Sequence, residues 1–151
     1  MELSRIPMPD NPVRRRIIVT STSSDSHIWN LVFLQLLLEE AGHEVANLGP
    51  CVSDNMLVSE ALGRRPDLIV VSSVNGHGHH DGLRAINRLR RTPVLARTPV
   101  VIGGKLGIGG PDPQRSQTLL TAGFQAVFEG GQGDPEGLLT LIDVLPSTVS
   151  A

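Results

Sequence analysis

Short apolar runs alternate with longer stretches of helical periodicity along this chain. The runs are rich in β-branched residues, as in strands buried on both faces of a sheet, and they lie at residues 16–20, 43–49, 67–73, 99–102 and 126–128. Helical spacing predicts helices over residues 28–41, 54–65, 83–90, 113–122 and from 135 onward. This succession predicts an α/β fold: a doubly wound, flavodoxin-like, five-stranded parallel sheet with helices on both faces.

Residues with special roles at helix ends mark several of these boundaries. Ser53 stands where it can cap the second helix, and Asp134 followed by Pro135 is a typical start for the last one. Gly42 and Gly123 stand where the first and fourth helices are expected to stop.

The helix predicted after His27 is apolar on nearly its whole circumference. Its apolar residues are Ile28, Trp29, Leu31, Val32, Phe33, Leu34, Leu36, Leu37 and Leu38. A helix at a protein surface normally has one apolar stripe, whereas a helix that is apolar all round is covered on both sides. One side is expected to pack on the sheet, and the other needs a ligand or a partner chain.

Polar or glycine-rich segments follow four of the predicted strands. They are residues 21–30, 72–80, 103–110 and 129–133. In a doubly wound sheet, ligands bind outside the carboxyl ends of the strands, where the strand order reverses. The segments are therefore predicted to converge on one site.

Composition narrows the class of protein. The 151 residues are 40% apolar, and 13 basic against 15 acidic residues give a net charge of −2. This balance argues against a nucleic-acid-binding protein, so residues 14–16, all Arg, are expected to be a solvated strand start. We expect one domain at residues 14–147, between a flexible leader (1–13) and a tail (148–151).

The chain shows no sign of a membrane or secretory protein. No apolar stretch approaches the roughly 20 residues that span a bilayer. Cys51 is the only cysteine, so no intramolecular disulfide can form, and the reducing cytoplasm is the expected location.

Asp25 and His27 form the most informative polar pair. The carboxylate stands two residues before the imidazole at the exit of the first strand, and an Asp can orient a metal-binding His through the second ring nitrogen. The spacing alone is equally typical of a helix cap followed by an incidental His. The position at the predicted site favours the ligand interpretation.

Other chemistries find less support in the same loops. The glycines of 103–110 match neither Walker A nor Gly-x-Gly-x-x-Gly, and close approach of the backbone to a bulky ligand explains them better. Three loop histidines could bind a metal ion, but histidines this close together are usually solvated; they are His77, His79 and His80. No Gly-x-Ser-x-Gly nucleophile elbow occurs. A phosphoacceptor receiver domain would need an Asp at the end of strand three, where this chain has Ser72 and Ser73.

Three short motifs resemble the cobalamin-binding domain of B12-dependent mutases and methionine synthase. They are Asp25-x-His27, Ser72-Ser73-Val74 and Gly103-Gly104, against the family's Asp-x-His-x-x-Gly, Ser-x-Leu and Gly-Gly. The resemblance covers roughly residues 15–145 and is greatest to the small subunits of glutamate mutase (methylaspartate mutase).

The resemblance implies a role for each motif. The cofactor would be adenosylcobalamin with its own base displaced; His27 would be the lower cobalt ligand, and Asp25 would hydrogen-bond the other ring nitrogen. The displaced dimethylbenzimidazole tail would insert between sheet and helices, in a pocket that Phe128 helps to close. The cofactor-binding residues implied in this way are Ser24, Asp25, Ser26, His27, Ile28, Ser72, Ser73, Val74, Gly103, Gly104, Lys105 and Phe128.

Two positions depart from the family motif. Asn30 stands where the motif has glycine, which adds a side chain near the corrin, and Val74 stands where leucine is usual. Asn is among the non-glycine residues that best tolerate positive φ. Asn30 is therefore the position where cofactor binding could differ from that of the family.

The resemblance implies a cobalamin-binding small subunit of an isomerase that converts L-glutamate to threo-3-methylaspartate by radical rearrangement. A larger catalytic subunit with a barrel domain would bind the small amino-acid substrate, and this chain alone would be inactive. Two alternatives remain open: a stand-alone corrinoid carrier or regulatory module, and a flavodoxin-like interaction domain that has lost cobalamin.

Overall fold

The computed structural model describes residues 13–130 and 135–146. Its elements are β1 (Arg16–Thr20), α1 (Trp29–Glu40), β2 (Glu44–Asn47), α2 (Asp54–Arg64), β3 (Leu68–Ser73), α3 (Gly78–Arg90), β4 (Val100–Gly104), α4 (Pro113–Ala122), β5 (Ala126–Glu129) and α5 (Pro135–Val144). A short 3₁₀ helix, Pro93–Leu95, precedes β4. The expected leader (except residue 13), the tail 148–151, the cap Asp134 and the segment 131–133 lie outside the described residues.

The five strands form one parallel sheet in the order β2-β1-β3-β4-β5. The predicted doubly wound, flavodoxin-like fold is confirmed. The direction of winding reverses between β1 and β3, so the crossover connections leave these two strand ends on opposite faces of the sheet. A crevice opens at such a switch point, outside the carboxyl ends of β1 and β3.

Two apolar cores lie on the two faces of the sheet. Successive strand residues point to opposite faces. Ile18 and Ile69 belong to the core beneath α2, α3 and α4, whereas Ile17 and Val70 belong to the core beneath α1 and α5. The β-branched runs are therefore buried on both sides, as their composition indicates.

The predicted helix signals act as expected within the described residues. Ser53 Oγ accepts a hydrogen bond from the Met56 amide at 3.1 Å. Gly42 and Gly123, with φ of 99° and 130°, end α1 and α4 in a conformation that favours glycine.

Two loop assignments were wrong at their edges. Gly103 and Gly104 belong to β4 rather than to the following loop, because they pair with Ser72 and Ser73 of β3. The third helix begins at Gly78, so the segment 72–80 ends in the first turn of α3 and not in a loop.

Helix α1 is covered on one side only within the described part of the chain. Leu31 and Leu38 are fully buried against the sheet, but Trp29, Phe33 and Leu36 are exposed by 83%, 53% and 60%. The expectation that a ligand or partner covers the outer side is therefore untested by this chain alone. No helix in residues 13–130 and 135–146 is long and apolar enough to cross a membrane.

The expectation of a solvated strand start is wrong for Arg15. Arg14 and Arg16 are exposed, but Arg15 is only 3% exposed. Its guanidinium donates to the carbonyl oxygens of Leu145 at 2.6 Å and Ile142 at 3.3 Å. The last carbonyls of a helix have no partner within the helix, and the Arg15 side chain satisfies those of α5.

Candidate functional site

Asp25 links the ends of β1 and β3 from a fully buried position. Its Oδ1 accepts a hydrogen bond from the His27 amide at 2.9 Å and lies 2.7 Å from Nδ1 of the same imidazole. Its Oδ2 accepts from the Val74 amide at 2.7 Å and the Ser73 hydroxyl at 3.2 Å. The segments after the two strands at the switch point thus share one carboxylate.

The ionised form of Asp25 is favoured in the folded chain. Burial by itself raises the pKa of Asp25, but the amides of His27 and Val74 and the imidazole of His27 outweigh it and hold the pKa below its ordinary value. An ionised carboxylate accepts the proton of Nδ1, which leaves the lone pair of His27 on Nε2. The His27 side chain is 56% exposed, and Nε2 has no hydrogen-bond partner among the described residues. This nitrogen is free to bind a ligand.

A second carboxylate, Asp81 of α3, holds the preceding part of the loop. Asp81 Oδ2 accepts from the Ser24 hydroxyl at 2.5 Å and the Ser24 amide at 3.3 Å. Arg84 bridges Asp81 at 3.4 Å to Asp54 of α2 at 2.7 Å. The side-chain Nδ2 of Asn75 donates to the Ser24 carbonyl oxygen at 3.2 Å. The β1–α1 loop is therefore fixed by α3 and by the segment after β3.

This role of Asp81 was not predicted from the sequence. Asp81 lies on the buried side of α3 with Ala85 and Leu89, four and eight residues later. A carboxylate in an otherwise apolar helix stripe is the signal that could have found it, because buried carboxylates need polar partners.

An apolar pocket of about 110 Å³ lies between the sheet and helices α1 and α5, and its lining includes Asn30, three residues after His27. Five of the residues expected at the cofactor meet here: Ser72, Val74, Gly103, Gly104 and Phe128. Asn30 also lines the pocket. The remaining lining residues were not predicted from the sequence; they are Phe33, Leu34, Val70, Val71, Val101, Pro135 and Leu138. These are ordinary core residue types, so only the tertiary structure distinguishes them.

The glycine pair forms the floor of this pocket at the end of β4. Gly104 has φ of 115°, and a Cβ there would collide with the Ser73 carbonyl oxygen. A Cβ at Gly103 would lie 3.1 Å from the Phe128 carbonyl oxygen. Gly104 therefore needs glycine for the close packing of β3 against β4, and Gly103 leaves little room for a side chain beside β5.

Asn30 adopts a helical conformation in the first turn of α1, so its tolerance of positive φ is not needed. Its side-chain Nδ2 donates to Ser72 Oγ at 2.7 Å. Its Oδ1 is buried and has no hydrogen-bond partner among the described residues. The departure from glycine thus affects the pocket through the side chain.

The other implied contact residues lie apart from the pocket. Ser26, Ile28 and Lys105 are exposed, and their side chains make no hydrogen bond to the described residues. Their assignment to a cofactor stays a prediction.

The three neighbouring histidines do not form a metal site with other ligands. Among the described residues, no group of three or more His, Cys, Asp or Glu could hold a metal ion. His79 and His80 pack edge to face at 5.3 Å, and burial, followed by the charges of His80 and Arg115, lowers the pKa of His79. His77 remains exposed, as predicted.

His27 therefore fits a metal that brings its other ligands with it. A single imidazole, backed by a carboxylate, is a suitable axial ligand for a transition metal held in a macrocycle. The adjacent pocket has an apolar lining and one unsatisfied acceptor, Asn30 Oδ1, and so suits a flat group with few polar atoms. These residues fit a corrinoid with a detached base.

Comparisons with known proteins identify the family of this chain. The B12 binding domain family matches residues 15–135. Glutamate mutase sigma subunit 1 of Haloarcula marismortui is 30% identical over 129 residues, 85% of this chain and 83% of the relative. A cobalamin-binding protein from Desulfitobacterium hafniense has a TM-score of 0.66 at 19% identity, covering 85% of this chain and 58% of that one.

Receiver domains share the fold as well. Chemotaxis protein CheY4 of Vibrio cholerae has a TM-score of 0.65 at 18% identity, covering 89% of this chain and 100% of that one. At this identity the likeness shows the fold alone. Ser73 ends β3 at the position where a receiver domain would have an Asp. The family match and the sequence relatives together show that this chain belongs to the B12 binding domain family, among the glutamate mutase small (sigma) subunits.

Proposed function

We propose that this chain is the cobalamin-binding small subunit of an adenosylcobalamin-dependent carbon-skeleton mutase of the glutamate-to-3-methylaspartate type. One observation carries the proposal: the Asp25–His27 pair lies at the switch point of the sheet, with Nε2 of His27 free and an apolar pocket beside it. When bound, adenosylcobalamin would supply a cobalt–carbon bond whose homolysis starts the rearrangement.

The residues of this chain would hold and orient the cofactor. His27 would bind cobalt through Nε2, and Asp25 would keep the proton on Nδ1 and fix the orientation of the ring. Asp81 and Ser24 would fix the loop that carries both residues. The pocket beneath Asn30 and Phe128 would take the detached base, and its apolar lining would exclude water.

A larger catalytic subunit would complete the enzyme. The relatives are named as sigma subunits, which supports a partner. Trp29, Phe33 and Leu36 form an exposed apolar stripe on α1 that begins two residues after His27. A stripe of this kind, continuous with the site, supports docking of the partner over the face of the cofactor. The partner would bind the amino-acid substrate.

The ligand assignment is tested by titration with hydroxocobalamin, followed by absorption spectroscopy. The wild type is expected to give the base-off, histidine-bound spectrum, and His27→Ala to lose it. Asp25→Ala should weaken binding about 10- to 100-fold, because it removes the group that orients the ligand. His77→Ala is the matched control, since His77 is an exposed histidine at the same edge of the sheet. An unchanged spectrum in the wild type would instead favour an interaction domain without cobalamin.

The partner and the reaction are tested separately. The chain is mixed with the large subunit of a related glutamate mutase and adenosylcobalamin, and 3-methylaspartate is measured. Activity is expected from the mixture only. Cobalamin binding without assembly or turnover would favour a stand-alone corrinoid carrier.

A further inference from the structure

A side-chain bridge crosses the mouth of the apolar pocket. Asn30 Nδ2 in the first turn of α1 donates to Ser72 Oγ at the end of β3, at 2.7 Å, and both residues line the pocket. Val70, Val101 and Leu138 line it from further along the two strands and from α5. A group that enters from the carboxyl edge of the sheet, where His27 lies, meets the bridge first.

The pocket is too small to enclose a nucleotide base completely while the bridge is in place. Its volume is about 110 Å³. A protein cavity of about 150 Å³ accepts one benzene molecule. A two-ring base with its ribose is larger than benzene, so its complete entry requires a lining group to move. Asn30 has room to move, because its side chain is only half-buried.

The bridge is also easy to open. Asn30 Oδ1 is buried without a partner among the described residues, and an unsatisfied buried acceptor offsets much of what one hydrogen bond contributes. Rotation of the amide toward water would hydrate both of its polar atoms. The closed and open arrangements are therefore close in free energy, as a gate requires.

We propose that Asn30 is such a gate, and that it makes this chain discriminate between corrinoids with and without a nucleotide tail. The inference rests on the proposed function. A tailed corrinoid must displace the Asn30–Ser72 bridge, whereas a corrinoid without a tail binds His27 and leaves the bridge closed. Asn30, which replaces the family's glycine, thus slows and weakens the binding of tailed corrinoids but does not affect corrinoids without a tail.

The test compares hydroxocobalamin with diaquacobinamide, which lacks the nucleotide tail, by spectroscopic titration and stopped-flow mixing. Asn30→Ala removes the bridge and favours the helix. Its affinity for hydroxocobalamin is expected to rise about 3- to 10-fold with a faster association, the change that loss of one neutral hydrogen bond produces. Its affinity for cobinamide should equal that of the wild type.

Asn30→Asp is the matched control. A carboxylate of the same shape can accept the Ser72 hydroxyl proton and keep the bridge, so hydroxocobalamin should bind no more tightly than in the wild type. Circular dichroism of each variant verifies the fold. Equal or weaker binding of hydroxocobalamin by Asn30→Ala, or an equal gain for cobinamide, would overturn the gate while leaving the proposed function intact. Failure of the wild type to bind either corrinoid would overturn both.

Discussion

Asp25 shows how one residue can serve both the fold and the site. The hydrogen bonds that its carboxylate accepts come from the two segments that meet at the switch point, and the residue is fully buried. A buried carboxylate is costly unless it is well paired. The same donors that stabilise it also lock the imidazole of His27 into one orientation, so the site is ordered before any ligand arrives.

The pH dependence of stability should report this carboxylate. The folded-state pKa of Asp25 lies below the ordinary value of 3.8. The contribution of ionised Asp25 to the free energy of unfolding is therefore complete well above pH 3.8, and it is lost as the pH falls through the lower pKa of the folded state. Asp25→Asn leaves one amide donor without an acceptor, so we expect it to be less stable than the wild type by about 2 kcal/mol at pH 7.

Urea unfolding at a series of pH values from 7 to 2 measures the difference. The gap between wild type and Asp25→Asn should narrow only in the most acidic part of the series, where the wild type loses its ionised carboxylate. Glu40→Gln, at an exposed carboxylate at the end of α1, is the control and should show no such gap. A gap that stays constant down to the lowest pH would contradict the assigned role of Asp25.

At the scale of elements, the sequence predicts most boundaries because local signals agree with the tertiary structure. Helix α4 spans Pro113–Ala122 as expected, since Pro113 favours its start and Gly123 its end. The buried strands follow from their β-branched runs.

The sequence-based predictions fail where tertiary contacts, and not local signals, determine the structure. Gly103 and Gly104 extend β4 because β3 offers them a hydrogen-bonding neighbour, which no local pattern reveals. The bridge from Asn30 to Ser72 joins residues 42 positions apart. The motif comparison identified Asn30 as a departure, but its hydrogen bond and its orphaned oxygen depend on how α1 packs against the sheet.

The close approach of β3 and β4 gives an element-scale prediction. Gly104→Ala would place a methyl group against the Ser73 carbonyl oxygen at a positive φ, so it should destabilise the chain by more than about 2 kcal/mol. Gly63→Ala is the matched control, because Gly63 lies in α2 with open space around its Cα and should gain up to about 1 kcal/mol. Urea unfolding measures both. Similar changes in the free energy of unfolding for the two variants would show that β3 and β4 can move apart at little cost.

At the scale of the whole molecule, the winding of the chain brings the site together. The order β2-β1-β3-β4-β5 places β1 beside β3, so the loop with Asp25 and His27 meets the segment that begins with Val74. Helices α1 and α5 lie on the same face, and both contribute to the pocket. The site therefore depends on α5, the last helix of the described chain, being held against β1.

Arg15 provides that connection, and its removal is our last prediction. The side chain reaches from the start of β1 to the carbonyls that end α5, about 130 residues away in sequence. Arg15→Ala leaves buried carbonyls unsatisfied, so we expect a loss of about 2–4 kcal/mol in urea unfolding. Arg14→Ala should change stability by less than about 0.5 kcal/mol, because Arg14 is exposed and its ion pair with Glu44 spans 3.7 Å.

Arg15→Ala should also affect the pocket, because Arg15 contacts the end of α5. Pro135 and Leu138 of α5 line the pocket, and Leu138 packs in the core beneath that helix. If Arg15 holds α5 in place, Arg15→Ala should expose the amides of α5 to hydrogen exchange more than those of α3, which covers the opposite face of the sheet. Hydroxocobalamin binding should weaken in parallel, whereas Arg14→Ala should alter neither measurement. Uniform exchange across both helices in Arg15→Ala would show a global loss of stability instead of a specific role in holding α5 over the pocket.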